Sequence, residues 1–187
     1  MYWEQAGAVN TEATINLALK RAGELGIRNL VVATCSGDTL KKVAAKAPEL
    51  NIVGVSHHVG FDRPGIDELS PAIRQELEAM GIKLLTTTHL LAGVDRALRI
   101  QFGGLYPAEI IGSTLRLFGQ GIKVGVEIVV MALDAGLIPY GEEIIGIAGT
   151  GSGADAAVVV RPTHSNKFFQ TEIREIICMP RSKHSGK

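Results

Sequence analysis

Asn29-Leu30-Val31-Val32-Ala33-Thr34-Cys35-Ser36-Gly37-Asp38-Thr39 is the stretch on which the fold turns. Asn29 to Ala33 reads as a fully buried strand, four apolar residues in a row after an asparagine. Ser36-Gly37-Asp38-Thr39 then turns the chain into a helix that ends near Pro48. Upstream, Asn10 or Thr11 can cap a helix whose apolar residues recur at Ile15, Ala18, Leu19, Ala22 and Leu25, and Gly26 stops it. Downstream, residues 52–56 read as a second buried strand, followed by a polar loop over 57–69. Ser70-Pro71 starts a helix that runs to Gly81, and residues 83–87 form the third strand.

Residues 89–119 read as helical, broken at Gly103-Gly104 and restarted at Pro107. Residues 122–136 are apolar nearly all round, and their length favours a buried helix over a strand. A fourth strand is expected over 143–148 and a fifth over 156–160, with the glycine-rich turn 149–155 between them. A final apolar alternation lies near 173–178. No repeat or linker interrupts the chain, so residues 1–187 read as a single domain. Strands alternating with helices predict an α/β fold with a mostly parallel sheet and helices on both faces. The turn between the fourth and fifth strands is too short for a crossover helix, so the fifth should run antiparallel.

Composition narrows the partners. The chain has 46% hydrophobic and 20% charged residues, and its nineteen basic and nineteen acidic residues cancel. That balance creates no field to draw nucleic acid or an anionic membrane, so neither is an expected partner. Arg181, Lys183 and Lys187 are expected to form a solvated end rather than a binding arm. Cys35 and Cys178 make no disulfide framework or metal spacing, which fits a reducing, cytoplasmic compartment. No signal peptide is expected at the N-terminus. The longest apolar run, 124–133, is too short to span a bilayer and contains Glu127.

In sheets of this type ligands sit beyond the carboxyl ends of the strands, where strand order reverses. Those ends carry residues 34–39, His57-His58, Thr86-Thr87-Thr88-His89 and Gly149-Thr150-Gly151-Ser152-Gly153. Hydroxyls, glycines and imidazoles therefore collect on one edge, although the same residue types also serve as plain turn formers. The 34–39 turn points to a phosphate, because free N–H groups and the positive end of the helix dipole face outward there. A turn capped by Asp38 with no ligand is the competing account. Gly149 to Ala154 matches G-x-G-x-x-A, but a strand follows where a dinucleotide fingerprint needs a helix. His57, His58, His89 and His164 have no accompanying carboxylate spacing, so no metal site is expected. Glu127 has Lys123 four residues earlier as its partner, a structural pairing. Cys35 has no base beside it in sequence and reads as an inert buried thiol.

The order of these pieces resembles the C-terminal domain of pyruvate kinase. A closer resemblance, over nearly the whole chain, is to small archaeal and bacterial stand-alone proteins of the pyruvate kinase C-terminal-like type. Asn10-Thr11-Glu12, Ser36-Gly37-Asp38-Thr39, His58-Val59-Gly60-Phe61 and Lys123-Val124-Gly125-Val126-Glu127 carry it, together with Gly153-Ala154-Asp155, Arg161-Pro162, Phe168-Phe169 and the segment 176–181. The resemblance implies a three-layer α/β/α domain with strand order 3-2-1-4-5, the fifth strand antiparallel. In pyruvate kinase this domain holds no catalytic residues, and its loop after the first strand grips a phosphate of a sugar bisphosphate effector. Asp38 stands where that loop commonly has a basic residue, which disfavours a sugar bisphosphate here. The small-protein family implies FMN in the same crevice. Residues expected around the ligand are Asn10, Thr11, Thr34, Ser36, Gly37, Asp38, Thr39, His58, Gly60, Thr88, His89, Gly149, Thr150, Gly151 and Ser152. The reading is a module that binds a phosphorylated small molecule; the alternatives are a small FMN-dependent oxidoreductase and a sugar-phosphate effector domain. Homo-oligomers are also implied, with Tyr2, Trp3, Phe168 and Phe169 as apolar surface near the termini.

Overall fold

A computed structural model describes residues 1–182. The chain runs β1 (Tyr2–Trp3), α1 (Thr11–Leu25), β2 (Asn29–Ala33), α2 (Asp38–Lys46), β3 (Asn51–Ser56), α3 (Pro71–Ala79), β4 (Lys83–Thr86), α4 (Gly93–Phe102), α5 (Pro107–Leu115), α6 (Gln120–Asp134), β5 (Ile144–Ala148), β6 (Ala156–Arg161) and β7 (Glu172–Pro180). Local signals set the boundaries. Gly26 ends α1 in the left-handed conformation at φ 67°, which only glycine adopts without strain. Ser70 accepts a hydrogen bond from the Ile73 N–H at 3.4 Å, with Pro71 in the first turn of α3.

The strands form one sheet in the order β4-β3-β2-β5-β6-β7-β1. β4, β3, β2 and β5 are parallel, and β6 runs antiparallel to both β5 and β7. The five strands read from the sequence thus stand as 3-2-1-4-5, and two more extend that edge. The alternation at 173–178 becomes β7, and the first residues of the chain pair parallel to it as β1. This changes the account of the terminal aromatics. Trp3 packs on the sheet and donates from Nε1 to the Asp155 carbonyl at 2.8 Å. Phe168 packs against the other face, whereas Tyr2 and Phe169 remain exposed. Arg181 N donates to the Trp3 carbonyl at 2.8 Å; Lys183 and Lys187, the rest of the expected basic tail, lie outside the described residues.

Alternate residues of the central strands divide two cores. Leu30, Val32, Ile145 and Ile147 meet Ile15, Ala18, Leu40, Val43 and Leu77 on one face, under α1, α2 and α3. Val31, Val53, Val55, Ile144 and Val158 meet Ile122, Val126 and Val129 of α6 on the other. α6 is buried from Gly121 to Leu133 except at Val124, which is why its sequence is apolar nearly all round. It lies unusually close to β5. A Cβ added to Gly146 would stand 2.6 Å from the Gly125 carbonyl oxygen and 3.0 Å from Val129 Cγ2. Gly146→Ala should therefore lower stability by about 1–3 kcal/mol through overpacking. Urea denaturation checks this, and an unshifted midpoint would mean that α6 can lift off the sheet without cost.

Candidate functional site

β2 lies between β3 and β5, and the chain reaches those neighbours by opposite directions along the sheet. The switch point is therefore above β2 and β5, where the turns 34–37 and 149–155 meet. Two hollows flank the first of these turns. One, of about 260 Å³, is lined by Thr11, Ser36, Asp38, Thr39, Lys42, Ser152 and Gly153, with Ala8 at its edge. The other, of about 100 Å³, is lined by Thr34, Cys35, His57, Phe61, His89, Arg96, Arg116, Lys123 and Glu127 among others.

The turn itself is held from three sides. Thr34 N donates to the Val55 carbonyl at 3.0 Å, and Thr34 Oγ1 accepts from Gly37 N at 3.0 Å. Gly37 sits at φ 87°, and a Cβ there would stand 2.8 Å from Ile73 Cγ2, so both conformation and space demand glycine. Asp38 does not cap the helix. Gly37 is the cap residue and has no side chain to cap with, while Ser36 Oγ donates to Asp38 Oδ2 at 2.9 Å and accepts from Asp38 N at 3.4 Å. The next N–H groups of the first turn, those of Thr39 and Leu40, have no side-chain cap among the described residues, and Asp38 and Thr39 line the larger hollow. Lys42, one turn along, adds a positive charge there; its Nζ lies 3.2 Å from Glu12 Oε1. Lys46 and then Lys42 hold the Glu12 carboxyl below its ordinary range. Across the hollow, Thr11 Oγ1 donates to the Ala8 carbonyl at 2.8 Å and accepts from Ala154 N at 3.0 Å. Thr11 therefore ties α1 to the glycine-rich turn.

The smaller hollow is built on an ion pair. Lys123 is 4% exposed and Glu127 1% exposed, and the two are bonded to each other one helical turn apart. Glu127 Oε1 also accepts from Leu91 N at 2.7 Å, so α6 holds the turn that follows β4. Burial pushes the Lys123 ammonium below its ordinary pKa, with Glu127 opposing. Burial likewise lowers His89 to about 4, against the pull of Glu127 and with the help of His57. His89 is thus a neutral imidazole at neutral pH, a hydrogen-bonding group rather than a cation.

Folding also supplies Cys35 and His57 with partners that sequence spacing did not. Cys35 is exposed, not buried. Its Sγ lies 3.6 Å from His57 Nδ1, which is itself 2.5 Å from Glu68 Oε2. Partial burial and then the Glu68 carboxylate push the thiol above its ordinary pKa, so a helix terminus nearby has not made it a thiolate. Phe61 stacks on the His57 ring at 3.8 Å.

Of the expected ligand residues, Thr11, Ser36, Asp38, Thr39 and Ser152 line the larger hollow, and Thr34 and His89 the smaller. Gly37 shapes the turn between them. The rest are scaffold or neighbours. Asn10 stands at the start of α1 and donates to the Gln5 carbonyl at 2.7 Å. His58 Nδ1 bonds to the Val59 carbonyl at 2.8 Å beside Phe61. Gly60 N closes its loop on the Ile66 carbonyl at 2.8 Å. The Thr88 methyl lies 3.1 Å from where a Gly93 Cβ would be. Gly149 and Gly151 shape the turn in which Thr150 N donates to Asp155 Oδ2 at 3.2 Å. His164 is far from the others, bonded to Asp134 at the opposite end of α6 at 2.9 Å. Lys42, Glu68, Arg96 and Arg116 went unread in the sequence, and Phe61 was read only as part of the 58–61 motif, not as a site residue. Lys42 alone had a local signal, three residues after Thr39 on the same helix face.

A third hollow, about 590 Å³ in volume, lies between α4 and α5. It shares Arg96 and Arg116 with the smaller one, and Leu105, Ile110 and Leu117 give it an apolar lining.

Two solved structures align with this chain at low similarity. A pyruvate kinase from Cryptosporidium parvum aligns at 16% identity and a TM-score of 0.41, covering 80% of this chain and 22% of the kinase. A second Cryptosporidium parvum pyruvate kinase structure gives 16% identity and a TM-score of 0.39, covering 74% of this chain and 20% of the kinase. The chain thus spans about a fifth of the length of those enzymes. Residues 12–160, from the start of α1 to the end of β6, match the family model for the pyruvate kinase alpha/beta domain, and the chain belongs to that family.

Proposed function

We propose that the chain binds a phosphorylated small molecule across the switch point, as a ligand-binding or sensing module, with FMN as the best-fitting ligand. The observation that carries this is the larger hollow. It combines the first turn of α2, where no side chain caps the Thr39 and Leu40 N–H groups, with the hydroxyls of Ser36, Thr39 and Ser152 and the Lys42 ammonium in a space of about 260 Å³. Those are the elements of a phosphate cradle. FMN also has a use for the second hollow. At about 100 Å³ it is too small to swallow a flavin, so the ring would lie across its mouth, against Phe61 and His89. A sugar phosphate would leave that aromatic edge unused.

Ser36→Ala/Thr39→Ala should weaken FMN binding at least tenfold, since hydrogen bonds to a charged group are worth about 1.5–3 kcal/mol each. Flavin fluorescence quenching during titration measures it, with circular dichroism confirming the fold. Riboflavin, which lacks the phosphate, should bind parent and variant alike. Equal FMN affinity in the two proteins would remove the phosphate from this hollow. Asp38→Asn should strengthen binding by removing repulsion.

Two further readings accompany this one. The cysteines are free thiols, which fits a reducing compartment such as the cytoplasm. Association between copies of the chain rests on the α4–α5 surface rather than on the termini, because Val94, Ile100, Phe102 and Leu105 there are all more than 70% exposed.

A further inference from the structure

Cys35, His57 and Glu68 come from three segments: the turn after β2, the end of β3, and the loop before α3. One ligand atom from each lies within 4.8 Å of the other two. The arrangement looks at first like a nucleophile with a base and an orienting carboxylate. It is not one. A relay of that kind uses the two opposite nitrogens of the imidazole, one facing the nucleophile and one the acid. Here Sγ at 3.6 Å and Oε2 at 2.5 Å both meet the same atom, Nδ1. Three donors converging on one point are what a cation requires.

We propose that Cys35 Sγ, His57 Nδ1 and the Glu68 carboxylate bind a divalent transition-metal ion, zinc by preference, at the lip of the smaller hollow. The donor set fits, because one sulfur, one imidazole and one carboxylate suit a borderline-soft ion and not calcium or magnesium. The distances fit as well. Zinc bond lengths in tetrahedral geometry put sulfur and nitrogen ligands about 3.5 Å apart, and nitrogen and oxygen ligands about 3.3 Å apart. The sulfur–nitrogen separation is already there. The carboxylate must retreat by somewhat less than 1 Å, and its loop residue is exposed and free to do so. Phe61, stacked on the ring with planes 21° apart, fixes the plane of the imidazole ligand. Three protein ligands leave a fourth position open, as in zinc sites that take water or a substrate oxygen. Cys35 and His57 both line the hollow, so that position opens toward it. The metal ligands are distinct from the phosphate cradle, which lies on the other side of the turn, although the site shares Phe61 and the mouth of the smaller hollow with the proposed flavin ring.

The test is titration of the chelator-treated chain with cobalt(II), a spectroscopic stand-in for zinc. One equivalent should produce a thiolate-to-cobalt charge-transfer band, and zinc should bleach it. Cys35→Ser should abolish the band, while Cys178→Ser, at the chain's other cysteine, should leave it unchanged. Glu68→Gln should keep the band but weaken binding by more than about tenfold, the lower bound for losing even an outer partner of a metal ligand. Cys35 and Glu68 are exposed, so both variants should keep the parent's circular dichroism. Absence of the band in the parent would overturn the site, and so would a band that survives Cys35→Ser. Equal cobalt affinity in Glu68→Gln would overturn the third ligand.

Discussion

Lys123→Met should cost about 3–5 kcal/mol of stability, the usual consequence of removing one partner from a buried ion pair. The replacement fills similar space and keeps the helix, so the loss is electrostatic. It strands the Glu127 carboxylate, 1% exposed, with the Leu91 N–H as its remaining bonded partner. The second variant separates charge from packing. In Lys123→Met/Glu127→Gln the neutral amide oxygen can still accept from Leu91 N, so about 1–2 kcal/mol or more should return. Urea midpoints of the parent and the two variants decide the matter. A single variant within about 1 kcal/mol of the parent would show that water reaches the carboxylate. The site should register the change too. Glu127 anchors the turn after β4, so His89 should move and hydrogen-exchange protection at Leu91 should fall.

The same pair marks how far the sequence could be read. Lys123 and Glu127 were visible as partners because the helical period fixes which residues face each other. The antiparallel direction of β6 was legible for a similar reason, because the short turn before it has no room for a crossover helix, whereas the strand order was implied only by the resemblance to the pyruvate kinase domain. β1 escaped notice because two residues carry no periodicity, and only the partner strand makes them a strand. The site divides along the same line. Ser36, Thr39 and Ser152 lie in turns whose position follows from the fold, so their meeting was predictable. Glu68 was not, because it lies eleven positions along an irregular loop from His57. No spacing rule applies to a loop that closes on itself through Gly60 and Ile66. Arg96 and Arg116 were missed for the converse reason, since on the sequence they are ordinary polar positions of surface helices. Only the packing of α4 and α5 brings both to one hollow.

Asp155 joins the fold to the proposed site, and Asp155→Ala should lower stability by about 2–4 kcal/mol. Its side chain is fully buried. Oδ2 accepts from Gly7 N at 2.7 Å and from Thr150 N at 3.2 Å, bonds to a charged group that truncation would delete together. Those two donors belong to different segments. Gly7 leads into α1, and Thr150 belongs to the turn whose Ser152 and Gly153 wall the larger hollow. Oδ1 is buried without a hydrogen-bond partner among the described residues, so an amide nitrogen placed there would gain nothing from them. Asp155→Asn can nevertheless keep an acceptor in place of Oδ2, and it should cost only about 1 kcal/mol, the difference between a charged and a neutral acceptor. The two variants should diverge in binding as well as stability. With alanine, the glycine-rich turn loses its tether, amide exchange at Thr150 accelerates, and phosphate affinity falls although Ser36 and Thr39 are intact. With asparagine, protection and affinity should stay near the parent's. If alanine leaves the urea midpoint within about 0.5 kcal/mol of the parent, the range of an ordinary surface change, then the turn is held by Thr11 and the sheet alone. In that case Thr11 becomes the residue that sets the width of the hollow.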